Sequence, residues 1–279
     1  MKNQTPQGVR DFTPEQTKTH QHIQSVITGV FEAAGYEPVT TPLVEYESTL
    51  SAGLPKQLTD RAVRLVDGTG QVMLLRPDHT TPIARLAATQ LQDAPQPLRL
   101  SYTGPVYHRQ SDRVHDFEVF QAGVEYIGTD PNENADAHMI ELLLQVLSAL
   151  GLSDAIIDIG HVNFVSQATP HQRQALLSQQ YIDSGIPLRG RGDLSASIPE
   201  LATIMDRFAD HPNVSLNQGL VKDLAYYTGI VFEAAVSGLG TPLATGGRYD
   251  DLMATFGAPR PAIGFSINVN ALYHLWSAA

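Results

Sequence analysis

The chain has 279 residues, of which 42% are hydrophobic, and it shows neither an apolar run of membrane-spanning length nor a signal-peptide pattern at its start, so we expect a globular cytoplasmic protein. It contains no cysteine, which excludes disulfides, thiolate metal sites and a cysteine nucleophile. The formal net charge is −11 and the 18 basic residues form no cluster along the sequence, so tight binding of nucleic acid is not expected.

The first predicted element is a helix with a recognisable start and end. Thr13 is placed to cap the first turn, Pro14 stands at the first helical position and Gln16 can complete a capping box. Gly35 is predicted to end the helix. Its inward face carries apolar residues at helical spacing, which are Ile23, Val26, Ile27, Val30 and Phe31.

Two predictions about strands follow. A strand is predicted at residues 39–44, and because Pro42 cannot donate to a ladder, we expect this strand at an edge or an interface. Residues 64–66 and 72–75 flank an Asp-Gly turn at 67–68 and are predicted to form a hairpin.

The polar loop at residues 76–82 is the first candidate ligand site. It lies between a predicted strand and the start of a predicted helix, where polar side chains are well placed to meet a ligand. Asp78 and Thr80 are the candidates. N-capping alone explains Thr80 or Thr81 equally well.

Two long strands are predicted at residues 98–106 and 118–126. Alternation along the second strand places Gln121 and Glu125 on one face. A carboxylate needs a partner when it is buried, so this face is either solvated or lines a pocket.

The middle of the chain is predicted to be mainly helical. A helix is expected at 135–150 and a short buried strand at 156–159. Residues 170–213 are predicted to be a mostly helical insertion, and because no linker separates them from the rest, residues 1–279 are predicted to form one domain. The apolar stripe of that insertion is Leu201, Ile204, Met205 and Phe208.

The stretch at 219–233 is predicted to form two strand segments at the centre of a sheet, with a bend at 228–229. Tyr226 and Tyr227 are adjacent and therefore point to opposite faces, and Lys222 shares the face of Tyr226. A cation and a phenol facing one cleft would suit a small anion or an amino acid. A buried strand with a snorkelling lysine explains the pattern equally well.

Taken together, these stretches resemble the catalytic core of histidyl-tRNA synthetase. The segments that carry the resemblance are Gly35-Tyr36 before the strand with Pro42, Leu75-Arg76-Pro77-Asp78-His79-Thr80, Gly104-Pro105-Val106-Tyr107, Gln121-Ala122-Gly123-Val124-Glu125, Leu220 to Phe232, and Gly246-Gly247-Arg248-Tyr249-Asp250. The resemblance implies an α+β protein with the class II aminoacyl-tRNA synthetase core, a mainly antiparallel sheet flanked by helices. It also implies a dimer interface built from the first helix and the proline strand.

The sequence departs from the synthetase pattern at the positions that hold ATP. His108 stands where the family has a phosphate-binding arginine, Gln110 where it has a glutamate, and Ala271 where it has a second ATP-binding arginine. Lys222 replaces the catalytic arginine. Losing one positioned donor typically costs roughly 100- to 1000-fold in rate, and we therefore expect no synthetase activity. We also expect no anticodon-binding domain.

The resemblance implies that a histidine pocket remains where the chemistry has been lost. By resemblance, the ammonium of histidine is held by Asp78, Thr80 and Gln121, the imidazole by Glu125 and Tyr226, and the carboxylate by Lys222, with Tyr227 and Tyr249 nearby.

This combination is similar to the synthetase-like regulatory subunits of ATP phosphoribosyltransferase. The similarity implies a non-catalytic protein without cofactor or metal, which partners a short-form catalytic subunit, is required for its activity and confers feedback inhibition by histidine. No tRNA and no membrane are expected as partners. Two alternatives stay open at this point. One is an enzyme that activates an amino acid for an acceptor other than tRNA, and the other is a histidine-binding or structural protein that works alone.

Overall fold

The computed structural model describes residues 4–109, 116–128, 132–178, 189–190, 198–220 and 227–278. The helices in this part of the chain are α1 (Pro14–Ala33), α2 (Glu47–Leu50), α3 (Lys56–Arg61), α4 (Thr80–Thr89), α5 (Glu133–Ala149), α6 (Asn163–Gln167), α7 (Pro170–Ser178), α8 (Pro199–Arg207) and α9 (Val269–Ala278), with a 3-10 helix at Met253–Phe256. The strands are β1 (Glu37–Pro38), β2 (Val44–Tyr46), β3 (Val63–Val66), β4 (Val72–Leu75), β5 (Leu98–Tyr107), β6 (Glu118–Ile127), β7 (Ile156–His161), β8 (Arg189–Gly190), β9 (Val214–Asn217), β10 (Ile230–Ala235), β11 (Ala244–Arg248) and β12 (Ala262–Asn268).

A large sheet organises the fold. Its nine strands lie in the order β1-β5-β6-β12-β11-β10-β7-β9-β8, and all neighbours are antiparallel except the pairs β1/β5 and β7/β9. A second sheet of three strands has the order β2-β4-β3. The hairpin predicted around the Asp-Gly turn is the pair β3/β4 of this smaller sheet. The prediction of a mainly antiparallel α+β protein is confirmed.

Helix α1 begins and ends as its side chains predict. The hydroxyl of Thr13 accepts from the backbone N–H of Gln16, and the Gln16 side chain accepts from the backbone N–H of Thr13, which completes the capping box. After the helix, Gly35 takes a φ of 80°, a conformation that favours glycine. The buried face of α1 packs into the main core together with apolar residues of α5, α8 and α9.

The strand predicted at residues 39–44 is wrong, because residues 39–43 belong to no strand and Val44 begins β2 of the smaller sheet. Pairing with β5 ends just after Pro38, where the N–H of Val39 donates to the carbonyl of Ser101 at 2.8 Å. The next residues leave the sheet because the carbonyl of Thr41 accepts from the guanidinium of Arg76 at 2.9 Å and Pro42 has no N–H. β1, which ends just before the predicted strand, is the first strand of the large sheet.

The described part of the central stretch contains the strand β10. β10 lies inside the large sheet between β11 and β7, as predicted, but Leu220 belongs to no strand and residues 221–226 lie outside the described residues. The bend before β10 is held by Thr228, whose N–H donates to the carbonyl of Arg248 at 2.8 Å. The Thr228 hydroxyl accepts from the N–H of Asp250 at 3.0 Å.

The described parts of residues 170–213 are α7, the short strand β8 and α8. The apolar stripe of α8 lies in the main core, where Leu201 and Ile204 are fully buried, as its spacing predicts. β8 pairs with β9 in the large sheet, and the guanidinium of Arg189 also donates to the carboxylate of Asp158 on β7. Among the helices described, none is both long enough and apolar enough to cross a bilayer.

Candidate functional site

The start of α4 and the strands β5, β6, β11 and β12 enclose a cleft of about 190 Å³. This volume is below the roughly 300–1,000 Å³ of sites for drug-sized ligands, so the cleft suits a single small metabolite. Its walls are formed by Pro55, Leu58, Pro77, Asp78, His79, Thr80, Tyr102, His108, Gln121, Tyr227, Thr245, Gly246, Gly247, Tyr249, Gly264, Phe265 and Ser266.

Asp78 combines a structural role with an unused hydrogen-bonding atom. Its Oδ2 accepts from the backbone N–H and the hydroxyl of Thr81, at 3.2 and 2.9 Å, and so satisfies the start of α4. Its Oδ1 is buried and has no hydrogen-bond partner among the described residues. Burial raises the pKa of this carboxyl to about 6, partly offset by Thr81 and by the nearby Arg76. An oxygen in this state is suited to a cationic donor from a ligand.

Glu125 is the second carboxyl of the site. It is 1% exposed, its Oε1 accepts from the hydroxyl of Thr80 at 2.7 Å, and its Oε2 accepts from the hydroxyl of Tyr249. Burial raises its pKa to about 8, while the bonds from Tyr249 and Thr80 lower it and the charge of Asp78 raises it. The carboxyl lies over Gly264 on the paired strand β12, where a Cβ would overlap Oε2.

Because Asp78 caps α4, the hydroxyl of Thr80 is available to donate to Glu125. The explanation that Thr80 only caps the helix is therefore wrong, because Asp78 caps α4 instead. Gln121 lines the cleft, and Glu125, on the same face of β6, is buried and bonded to Thr80. The polar face of β6 is therefore directed toward the pocket and not toward bulk solvent.

Tyr227 and Tyr249 complete the walls. Tyr249 is 2% exposed and follows β11, and Tyr227 stands at the bend before β10. The bend is anchored by the buried Arg248, whose Nε donates to Asp136 at 2.9 Å and whose Nη1 donates to Asp250 at 3.1 Å. The packing of α5 against the sheet thus positions one wall of the cleft.

Among the residues described, the part of the cleft near His108 carries no fixed positive charge. The Nε2–H of His108 donates to the carbonyl of Pro77 at 2.7 Å, and burial lowers the pKa of the imidazole, so the ring is neutral. The guanidinium of Arg109 donates instead to the carbonyl of Asp60 on α3. Of the residues described, no lysine or arginine lines the cleft, and Pro55 and Leu58 add apolar surface.

The structure brings together six of the eight residues predicted for the pocket: Asp78, Thr80, Gln121, Glu125, Tyr227 and Tyr249. The other two, Lys222 and Tyr226, lie outside the described residues, as does Gln110. Sequence reasoning missed three aromatic residues of the wall, His79, Tyr102 and Phe265. The rings of His79 and Tyr102 stack with their centroids 4.3 Å apart. The alternation of β5 could have placed Tyr102 on a face, but only its pairing with Gly123 shows which one.

The arrangement is suited to binding. It offers two buried carboxyls, hydroxyls and aromatic walls to a small molecule with cationic or N–H groups. Within the described ranges, no three His, Asp or Glu side chains lie close enough together to hold a metal ion.

Comparison with known proteins gives consistent results. A sequence model of the histidyl-tRNA synthetase family matches residues 8–183 and 187–272. A protein from Symbiobacterium thermophilum named ATP phosphoribosyltransferase regulatory subunit is 34% identical, over 97% of this chain and 79% of that protein.

Solved structures agree with the sequence comparison. An ATP phosphoribosyltransferase regulatory subunit/histidyl-tRNA synthetase from Bacillus halodurans superposes with a TM-score of 0.85 at 30% identity, covering 98% of this chain and 83% of that one. Apo histidyl-tRNA synthetase from S. aureus gives a TM-score of 0.74 at 22% identity, over 99% of this chain and 70% of that one, and shares the fold. The expected class II synthetase core is confirmed.

Proposed function

The chain belongs to the histidyl-tRNA synthetase-like family of ATP phosphoribosyltransferase regulatory subunits, and from this we propose that it binds free histidine in the cleft, does not activate it, and uses that binding to inhibit a short-form catalytic subunit. The protein then acts in the first step of histidine biosynthesis as the non-catalytic member of a hetero-oligomer. Self-association as a dimer is part of the same proposal.

One observation carries this proposal: among the residues described, two carboxyls with buried oxygens, Asp78 and Glu125, stand at the cleft and no lysine or arginine lines it. Bringing the triphosphate of ATP beside the carboxylate of Asp78 would place like charges together in a poorly hydrated site. The neutral imidazole of His108 already donates its Nε2–H to the carbonyl of Pro77 and has no charge to offer a phosphate. An amino acid with an ammonium and an N–H heterocycle fits the same groups well.

The ligand can be matched to the site group by group. The unpartnered Oδ1 of Asp78 is suited to the ammonium, with Gln121 beside it on the cleft wall. Glu125 is suited to accept from the imidazole, because a carboxylate with two oxygens can accept further bonds beside those from Thr80 and Tyr249. Lys222 for the ligand carboxylate and Tyr226 for the imidazole stay predictions from the resemblance.

Inhibition requires that histidine bind one state of the complex better than another. For such systems the coupling free energy is typically about 1 to 3 kcal/mol, and linkage makes it reciprocal. The substrates of the catalytic subunit, ATP and phosphoribosyl pyrophosphate, should therefore weaken histidine binding to the complex by the factor by which histidine weakens theirs.

The test uses calorimetry and pyrophosphate exchange on the same preparation. Histidine should bind the purified protein without ATP, and no histidine-dependent ATP–pyrophosphate exchange should occur. Glu125→Gln should weaken histidine binding by about 1 to 3 kcal/mol. Glu118→Gln is the matched control, because this glutamate is on the same strand and also accepts from a tyrosine hydroxyl, that of Tyr107 at 2.6 Å.

Three outcomes would contradict the proposal. Formation of histidyl-adenylate would show an activating enzyme. Unchanged affinity in folded Glu125→Gln would place the ligand elsewhere. Histidine binding by the isolated protein without any effect on the activity of an added catalytic subunit would indicate a histidine-binding protein that works alone.

A further inference from the structure

A row of three hydroxyls crosses the floor of the cleft. Thr245 on β11 lies directly opposite Ser266 on β12, and Ser266 lies directly opposite Gly123 on β6. The hydroxyl of Tyr102 occupies the space above Gly123, where a Cβ would overlap it. Directly opposite residues of antiparallel strands point to one face, with their Cβ atoms about 5 Å apart. The hydroxyls of Tyr102, Ser266 and Thr245 therefore form one hydroxyl row, and all three residues line the cleft.

Two hydroxyls of this row are available to a ligand. No described residue forms a hydrogen bond with the side chain of Thr245 or Ser266, and both residues are only half-buried. By contrast, the hydroxyls of Thr80 and Tyr249 already donate to Glu125. Each hydroxyl carries one proton to donate, so Thr245 and Ser266 offer two uncharged donors that the fold itself does not use.

The hydroxyl row lies between the groups proposed for the two ends of histidine. Along β6, Glu125 and Gln121 stand two residues on either side of Gly123, which is roughly 7 Å in each direction. With the imidazole at Glu125 and the ammonium at Asp78 and Gln121, the α-carbon of the ligand lies over the row. The carboxylate is attached to that carbon, and it needs donors because it can only accept hydrogen bonds.

The neighbouring acidic residue favours the Ser266 end of the row. Glu233 on β10 lies directly opposite Thr245, on the side away from Ser266, and it does not line the cleft. A ligand carboxylate above Thr245 would lie close to this acidic side chain. Above Ser266 it is one strand farther away, so Ser266 is the better donor position.

We propose that Ser266, with Thr245 beside it, binds the carboxylate of histidine through uncharged hydroxyl donors. This inference rests on the proposed histidine site and adds two residues to which neither the motifs nor the resemblance assigns a role. Lys222, which the resemblance implies for the same group, lies outside the described residues. Hydrogen bonds to an ionised acceptor are stronger than those between neutral groups, so removal of the Ser266 hydroxyl has a measurable effect.

Two analogues of histidine isolate the carboxylate. Histamine keeps the imidazole and the ammonium but lacks the carboxylate, and histidine methyl ester keeps the shape of that group without its charge. In calorimetry near neutral pH, both should bind the unsubstituted protein at least about 10-fold more weakly than histidine, since each loses hydrogen bonds to a charged group.

The experiment measures the affinity for histidine and for histamine in variants of the row. Ser266→Ala should raise the dissociation constant for histidine about 10-fold, and Thr245→Val about 3-fold, while that for histamine changes less than about 2-fold. Thr245→Ser keeps the hydroxyl and should keep the affinity for histidine. Thr103→Val, on the opposite face of β5, is the matched control and should change neither constant.

The outcomes separate this inference from the proposed function. Equal weakening of histidine and histamine by Ser266→Ala would show that the residue only shapes the cleft, and it would overturn the inference while the histidine site stands. Unchanged histidine affinity in folded Ser266→Ala and Thr245→Val would overturn it as well. If Ser266→Ala does not fold, equal histidine affinity of Thr245→Val and Thr245→Ser decides against the row.

Glu125→Gln supplies the test of the site itself, because both ligands carry the imidazole. It should weaken histidine and histamine to a similar extent. Failure of the unsubstituted protein to bind histidine, or unchanged affinity for both ligands in Glu125→Gln, would refute the proposed site and the inference with it.

Discussion

Replacing Glu125 by Gln should change how the stability of the ligand-free protein depends on pH. The replacement preserves the size of the side chain and removes its ability to ionise. The amide oxygen can still accept from one of the two hydroxyls, those of Thr80 and Tyr249, while the amide nitrogen faces the other as a donor. The variant therefore begins with a deficit of about one hydrogen bond, or about 1 kcal/mol.

The magnitude follows from the difference between the folded and unfolded pKa of Glu125. Burial raises the pKa from 4.5 to about 8. Between these pH values the unfolded chain has released the proton while the folded protein retains it, so the free energy of unfolding falls as pH rises. The slope reaches about 1.4 kcal/mol per pH unit, which amounts to about 4 to 5 kcal/mol over the full window. Glu125→Gln lacks this contribution.

The two stability curves should therefore cross. The variant should be less stable than the unsubstituted protein near pH 4 and more stable at pH 8. Urea unfolding without histidine, measured at intervals from pH 4 to 8.5, tests this, and the contribution of Asp78, with a pKa of about 6, is present in both proteins and cancels in their difference. Glu118→Gln, at a partly exposed glutamate on the same strand, should not produce a crossing. Parallel curves for the unsubstituted protein and Glu125→Gln would refute the reasoning.

Two further predictions concern the packing that holds the cleft. Gly264→Ala places a Cβ against the buried carboxyl of Glu125 on the neighbouring strand and should lower the free energy of unfolding by at least about 3 kcal/mol. Gly29→Ala, on α1, has no atom within 4 Å of the new Cβ and should raise the free energy of unfolding by about 0.5 to 1 kcal/mol. Equal urea midpoints would contradict this. Asp136→Asn removes the more buried of the two ionised partners of Arg248, the other being Asp250, and should cost about 1.5 to 3 kcal/mol. Glu141→Gln, in an exposed pair, should cost less than about 1 kcal/mol in the same assay.

Local chemistry was enough to predict many of the elements and some of the site. The capping box of α1 depends on residues within one turn of each other, and the hairpin on a turn of a few residues, so both follow from short stretches of sequence. The two-residue period of a strand likewise placed Gln121 and Glu125 on one face of β6. The resemblance to the synthetase core predicted one pocket, and six of its predicted residues lie together in the described part of the chain.

Only the tertiary structure decided whether the polar face of β6 is solvated and which groups meet there. Glu125 bonds to Thr80, 45 residues earlier, and to Tyr249, 124 residues later, and these contacts depend on the register of β6 against its neighbours and on the docking of α4. The strand predicted around Pro42 did not form, and the carbonyl of Thr41 instead binds a distant guanidinium, that of Arg76. Periodicity reports the face on which a side chain lies, but the partner across that face is set by strand pairing, which neighbouring residues along the chain do not encode.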